Sequence, residues 1–225
     1  MIVPVVSQEN TFLGVISSET LVEILENEAS EDVYRMAALA PIKYPYFETP
    51  FIRLLSQRLA ILVVLLFVQS LSTAIITYYQ ATLEGFLLLF ITMLTSTGGN
   101  ASNQTSALVI QGLATGEITD ANSQKFLRRE ALMAIVMGVS LAIFSFLRIY
   151  PFYGSHLVGC AVVSASLGLI VIFSVMLGGA MPLVLKRIGL DPAHSAGPLL
   201  ATLIDVAGLL IYCLVSSFVL GAARA

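Results

Sequence analysis

Pro198-Leu199-Leu200-Ala201-Thr202-Leu203-Ile204-Asp205-Val206-Ala207-Gly208-Leu209-Leu210-Ile211-Tyr212 decides the fold class. It is an apolar run with one carboxylate in its middle. No other Asp, Glu, Lys or Arg lies between Asp191 and Arg224. An ionised side chain near a bilayer centre costs roughly 2.5–3.5 kcal/mol on insertion scales. Such a residue faces a partner, a water-filled cavity or an ion path.

The rest of the chain has the same character. Of its 225 residues 57% are hydrophobic and 11% charged, with mean hydropathy +0.91. Soluble domains carry about 25% charged residues, so the composition is that of an integral membrane protein. Charge-free runs cover residues 59–83, 85–116, 131–147, 149–185 and 206–223. A crossing helix needs roughly 20 apolar residues. The runs therefore predict an all-α polytopic fold with five transmembrane helices, over 59–81, 86–113, 130–149, 157–185 and 197–220.

The net charge of −3 conceals a polarity. Residues 1–48 hold Glu9, Glu19, Glu23, Glu26, Glu28, Glu31, Asp32 and Glu48 against Arg35 and Lys43. Basic residues then gather in alternate connections: Arg53 and Arg58, then Lys125, Arg128 and Arg129, then Lys186 and Arg187. The opposite loops hold only Arg148, with Arg224 at the C-terminus. By the positive-inside rule the N-terminus is cytoplasmic and the C-terminus outside. Cys160 and Cys213 fall inside predicted spans and read as small buried hydrophobes, without metal-site or disulfide spacing.

The first 27 residues read differently. Ile2-Val3-Pro4-Val5-Val6 and Phe12-Leu13-Gly14-Val15-Ile16 are strand-like, and Ser17 or Ser18 can cap a following helix. A hairpin with one helix is too little to fold alone, so this part reads as the tail of a larger domain and the chain as a fragment. Residues 28–39 form an acidic helix, which pattern alone leaves as a solvated connector. Pro41, Pro45 and Pro50 make an irregular link to the first span.

The second span is polar in its middle, Thr95-Ser96-Thr97-Gly98-Gly99-Asn100-Ala101-Ser102-Asn103-Gln104-Thr105-Ser106. As a kinked helix its amides and hydroxyls must face protein or water, since lipid offers no partners. A re-entrant turn and polar helix–helix contacts are the other readings. In the fourth span, Gly178-Gly179-Ala180-Met181-Pro182 predicts a small-residue patch and a kink.

On a helix, Pro198, Ala201, Thr202, Asp205, Gly208 and Tyr212 fall near one face. No basic residue in the interior of a span can neutralise Asp205, which favours a hydrated cation or a proton over an ion pair. A structural hydrogen-bonding role stays open. Hard cations take oxygen ligands, and Mg²⁺ keeps several waters while binding through one or two carboxylates. One Asp per chain, doubled by a two-fold axis, suits a hydrated ion. Asn100, Asn103 and the carbonyls of Ala201 and Gly208 can add oxygens. His156 and His194 are loop residues far apart. No nucleophile–base pair, zinc motif or phosphate loop points to an enzyme, and no nucleic-acid partner is expected.

Three segments resemble the MgtE magnesium channels. Thr97-Gly98-Gly99-Asn100-Ala101-Ser102-Asn103-Gln104 with Ala107-Leu108-Val109-Ile110-Gln111-Gly112-Leu113-Ala114 is similar to the family's second-span signature. Gly179-Ala180-Met181-Pro182 and Lys186-Arg187-Ile188-Gly189-Leu190-Asp191-Pro192-Ala193 resemble the end of its fourth span and the cytoplasmic turn. The opening stretch, from Pro198 to Tyr212, resembles its pore-lining fifth span. The resemblance implies a homodimer in the bacterial plasma membrane, contacting lipid, that passes hydrated Mg²⁺ down its gradient. It implies residues 1–27 as the end of a second CBS domain, a small α/β remnant, 28–50 as plug helix and linker, and 51–225 as the pore domain. Asp205 then matches the filter aspartate and Ala201 and Gly208 its carbonyl positions, while Asn100 and Asn103 fall in the polar second-span segment. Glu28, Glu31, Asp32 and Asp191 match acids that bind regulatory Mg²⁺ and favour closure; like charges repel until a divalent cation neutralises them. Gly197 stands where family members often carry Asn. A cation exchanger and a non-conducting receptor or scaffold are the alternatives.

Overall fold

A computed structural model describes residues 2–39, 47–83, 85–195 and 197–224; side chains of Ser195 and of residues 222–224 are not described. Pro41, Lys43, Pro45 and the Arg224 side chain therefore lie outside the described residues. Strands β1 (Ile2–Val6) and β2 (Phe12–Ser17) pair antiparallel. Their turn is held by the Ser7 hydroxyl, which accepts from the backbone N–H of Glu9 and of Thr11, both at 3.2 Å. Ser17 caps helix α1 (Ser18–Met36) by accepting from the Thr20 N–H at 3.2 Å. The boundary expected between residues 27 and 28 falls inside this one continuous helix.

Six further helices follow: α2 (Phe51–Tyr78), α3 (Gly85–Leu88), α4 (Ile91–Ala114), α5 (Ser123–Tyr153), α6 (Leu157–Arg187) and α7 (Pro198–Arg224). Three segments are long and apolar enough to cross a membrane by length and composition, Phe51–Tyr78, Ser123–Arg187 and Pro198–Gly221. The middle one folds back on itself at the 3-10 turn Gly154–His156, so that α5 and α6 pack as an antiparallel pair. Gly138 and Gly168 lie opposite each other: a Cβ on either would approach the other's carbonyl oxygen, at 2.7 Å and 3.0 Å. Small residues let helix backbones close up where lipid supplies no hydrophobic driving force. The second span, expected over 86–113, is divided: α3 and α4 are separate, and the polar α4 is not among the three apolar segments.

The helices extend beyond the charge-free runs. Arg53 and Arg58 lie on α2, and Lys125, Arg128, Arg129 and Arg148 on α5, rather than in loops as expected. Long basic side chains reach the interface from helix ends. Central α6 is buried on most sides, including Cys160, Val163, Ile170, Val171 and Val175, while α2 buries only Leu54 and Leu65. In water α2's exposed Leu62, Val64, Leu66 and Phe67 would be untenable; in lipid they need no cover. Cys160 and Cys213 are free and buried, as the sequence indicated.

Close approach of α4 to α6 sets the interior. A Cβ on Gly98 would meet Ile170 Cγ2 at 2.7 Å, Ile204 Cγ2 at 2.9 Å and Ser174 Oγ at 2.9 Å. A Cβ on Gly178 would run into the carbonyl of Ser102. Tyr212 pins α7 to α3 by donating its hydroxyl hydrogen to the Leu87 carbonyl at 2.9 Å.

Candidate functional site in the helix interior

The polar middle of α4 is regular helix, which removes the re-entrant reading. Gly98 serves contact with α6 and α7 instead of a turn. Part of its polarity is absorbed locally: Thr97, Ser102 and Thr105 donate to the carbonyls of Met93, Gly99 and Ala101. The remainder is open. Ser96, Asn100, Gln104 and Gln111 are exposed along α4, and the buried Asn103 Oδ1 accepts no hydrogen bond among the described residues. An amide oxygen buried without a donor costs about 1–3 kcal/mol, so a water or a cation fits there.

Asp205 lies on α7 and is half-buried. Among the described residues it makes neither a hydrogen bond nor an ion pair. Contact between Gly98 and Ile204 fixes its depth, because Asp205 and Asn100 are the next residue and the next but one along their helices. At about 1.5 Å rise per residue they stand within a few ångströms of the same level. The expected face of α7 is partly turned inward. Thr202, Gly208, Leu209 and Tyr212 are buried, and Gly208 sits against Ile170, where a Cβ would meet Cγ2 at 3.4 Å. Ala201 and Asp205 remain on the open margin.

A second constellation lies where α1 meets the turn between α6 and α7. Asp191 Oδ1 accepts from the Ala193 N–H at 2.8 Å, and its other oxygen pairs with Arg35, which also pairs with Glu31. Asp32 and Asp191 line one cavity of about 270 Å³ with Lys186, Ile110 and Ala193. Glu28 is exposed and does not enter the Arg35 pairing. No group of three or more His, Cys, Asp or Glu suited to a metal occurs among the described residues. Sequence reasoning missed Arg35, whose guanidinium stands between two of the four acids.

Gly197 belongs to the same joint. Its φ is +67°, and a Cβ there would collide with the Met36 carbonyl at the end of α1. The residue that departs from the resembled pattern is thus the one that lets α1 reach α7. Arg35→Ala should raise Glu-C cleavage within α1 roughly fivefold, since a partly exposed pair contributes up to about 1 kcal/mol. Asp191→Ala should match it, with little further gain in the double variant. Unchanged cleavage would remove the ion pair from the account.

Basic residues gather at this end. Arg187 Nη2 donates to the Ser123 Oγ at 3.4 Å, joining the end of α6 to the start of α5, and Lys186 lines the same cavity as Ala114 at the end of α4. His156, at the opposite end of α5 and α6, stacks on Phe86 with ring centroids 4.9 Å apart.

The class these features define is a helical membrane protein with a carboxylate, unpaired among the described residues, beside a polar interior helix. A family model, MgtE, described as a divalent cation transporter, matches residues 91–215. The chain belongs to the MgtE family, which consists of transporters and not enzymes. It is 32% identical over 223 residues to the magnesium transporter MgtE of Thermus thermophilus, covering 98% of this chain and 49% of that protein. Magnesium transporter MgtE of Bacillus subtilis is 32% identical over 212 residues, 93% of this chain and 46% of that protein. That of Enterococcus faecalis is 26% identical over 217 residues, 96% and 47%. The chain spans about half the length of the curated relatives it matches.

Proposed function

We propose that this chain is the membrane domain of a Mg²⁺ channel, working as a homodimer with five crossings per copy, namely α2, α4, α5, α6 and α7. Hydrated Mg²⁺ is the substrate and moves down its electrochemical gradient. The observation that carries this reading is Asp205, a carboxylate without a partner among the described residues, at the depth of α4's open polar groups. Lipid cannot satisfy that surface, so water and a second copy must. Two copies of Asp205 across an axis would hold the ion through its water shell, with Asn100, Asn103 and the Ala201 carbonyl as further oxygens. Gly208, turned toward α6, contributes through its carbonyl alone.

The basic ends of α2, α5 and α6 support a bacterial plasma-membrane orientation with the N-terminus in the cytoplasm. Residues 1–27 close a CBS domain, and α1 continues from it into the plug. Cytoplasmic Mg²⁺ joining Asp32 and Asp191, with Glu28 and Glu31 nearby, would hold α1 down and favour closure. The cavity shared by Asp32 and Asp191 supports this.

Proteoliposomes loaded with a Mg²⁺ dye test the reading. Uptake should follow an imposed negative interior voltage without a Na⁺ or H⁺ gradient. Uptake that requires such a gradient would replace the channel with an exchanger. Dye unresponsive under every gradient would leave a receptor or scaffold.

A further inference from the structure

Among the cavities, one of about 680 Å³ lies between the start of α4 and the end of α5, far from Asp205 in sequence and lined by Leu89, Phe90, Met93, Arg148, Phe152 and Tyr153 among others. Its walls are apolar and aromatic, and its one charge is Arg148. The guanidinium has no acidic partner among the described residues; Nη1 only approaches the Met93 sulfur at 3.9 Å. Phe152 and Leu89 are 80% and 65% exposed. The site is open at its side.

Position along α5 says what surrounds it. Arg129 and Arg148 are nineteen residues apart on one continuous helix, a rise of about 28 Å. That is close to the thickness of a bilayer's hydrocarbon, roughly 30 Å. With Arg129 at one interface, Arg148 stands at the other, at headgroup level. Tyr78, Tyr79, Tyr150 and Tyr153 end their helices there, as interfacial aromatics do.

We propose that this cavity is a binding site for an anionic phospholipid. The guanidinium holds the headgroup phosphate with its planar fork, and one acyl chain lies along Leu89, Met93 and Phe152. A free phosphate would gain nothing from those walls. A zwitterionic headgroup would bring an ammonium for which no described lining residue supplies a carboxylate. A second copy of the chain could answer Arg148 at this end only with Glu84, since residues 59–83, 85–116, 149–185 and 206–223 carry no other acid. The proposal takes from the channel reading only that α5 crosses the membrane.

The test uses the full chain in nanodiscs with a diazirine-bearing phosphatidylglycerol, photolysed and mapped by peptide mass spectrometry. Adducts should concentrate on Leu89, Met93 and Phe152. Excess unlabelled phosphatidylglycerol should displace them, and the same excess of phosphatidylcholine should not. Arg148→Gln should lower their yield about tenfold, the loss of one charge-assisted phosphate contact. This exposed residue has no ion pair among the described residues, and unchanged elution would confirm that the variant folds. Equal yields from wild type and variant, equal competition by the two lipids, or adducts spread evenly along α5 would each overturn the site. Asp205→Asn, which removes Mg²⁺ flux in the channel reading, should keep the adducts, so the two readings fail separately.

Discussion

Asp205→Asn is expected to lower Mg²⁺ uptake by about 100-fold or more while leaving helical content and detergent elution unchanged. The substitution is nearly isosteric, and Asp205 makes no hydrogen bond or ion pair among the described residues that the fold would lose. An amide is also less costly than a carboxylate within a bilayer. The loss falls on the ion. In the channel reading each carboxylate would contribute a charged hydrogen bond to the cation's water shell, worth about 1.5–3 kcal/mol. Two copies would give roughly 3–6 kcal/mol, and every 1.4 kcal/mol is a factor of ten. Uptake into proteoliposomes at fixed voltage measures it. Wild-type rates in the variant would mean that Asp205 only joins helices.

Gly178→Ala should be the most damaging single methyl in the interior. Its Cβ would run into the backbone carbonyl of Ser102, where no side chain can rotate away and α4 must separate from α6. Overpacking typically costs about 1–3 kcal/mol, and a backbone-to-backbone clash belongs at the upper end. Gly99→Ala is the control, since a Cβ there meets nothing within 4 Å. It removes a helical glycine and should be neutral or stabilising by up to about 1 kcal/mol. Thermal unfolding in detergent should show Gly178→Ala melting well below wild type and Gly99→Ala at or above it. Equal melting of the two would contradict the tight α4–α6 contact.

The apolar elements were legible because a bilayer leaves few ways to satisfy a backbone. Long charge-free runs located α5, α6 and α7, and a serine beside an apolar pattern located the start of α1. Helix ends were less legible: α2 begins at Phe51, before Arg53 and Arg58, because long basic side chains let a helix pass the interface. The glycine pair in α4 could signal a turn or a contact; only the opposing Ile170 and Ile204 decide between them. Pairings distant in sequence were invisible. Nothing near Arg35 announces Asp191, and nothing near Gly197 announces the Met36 carbonyl that lies against it. Asp205 stands out as a candidate because a lone charge in an apolar run has few physical excuses.

The most direct test is an anomalous-scattering map from crystals of the chain grown with Mn²⁺, a divalent cation that also takes octahedral oxygen ligands. A hydrated ion should give a peak roughly 4 Å from the Asp205 carboxylate oxygens, one water away, shared by two copies and lost in Asp205→Asn. A peak elsewhere in the helix interior that survives the substitution would contradict the assignment of Asp205 to the ion path.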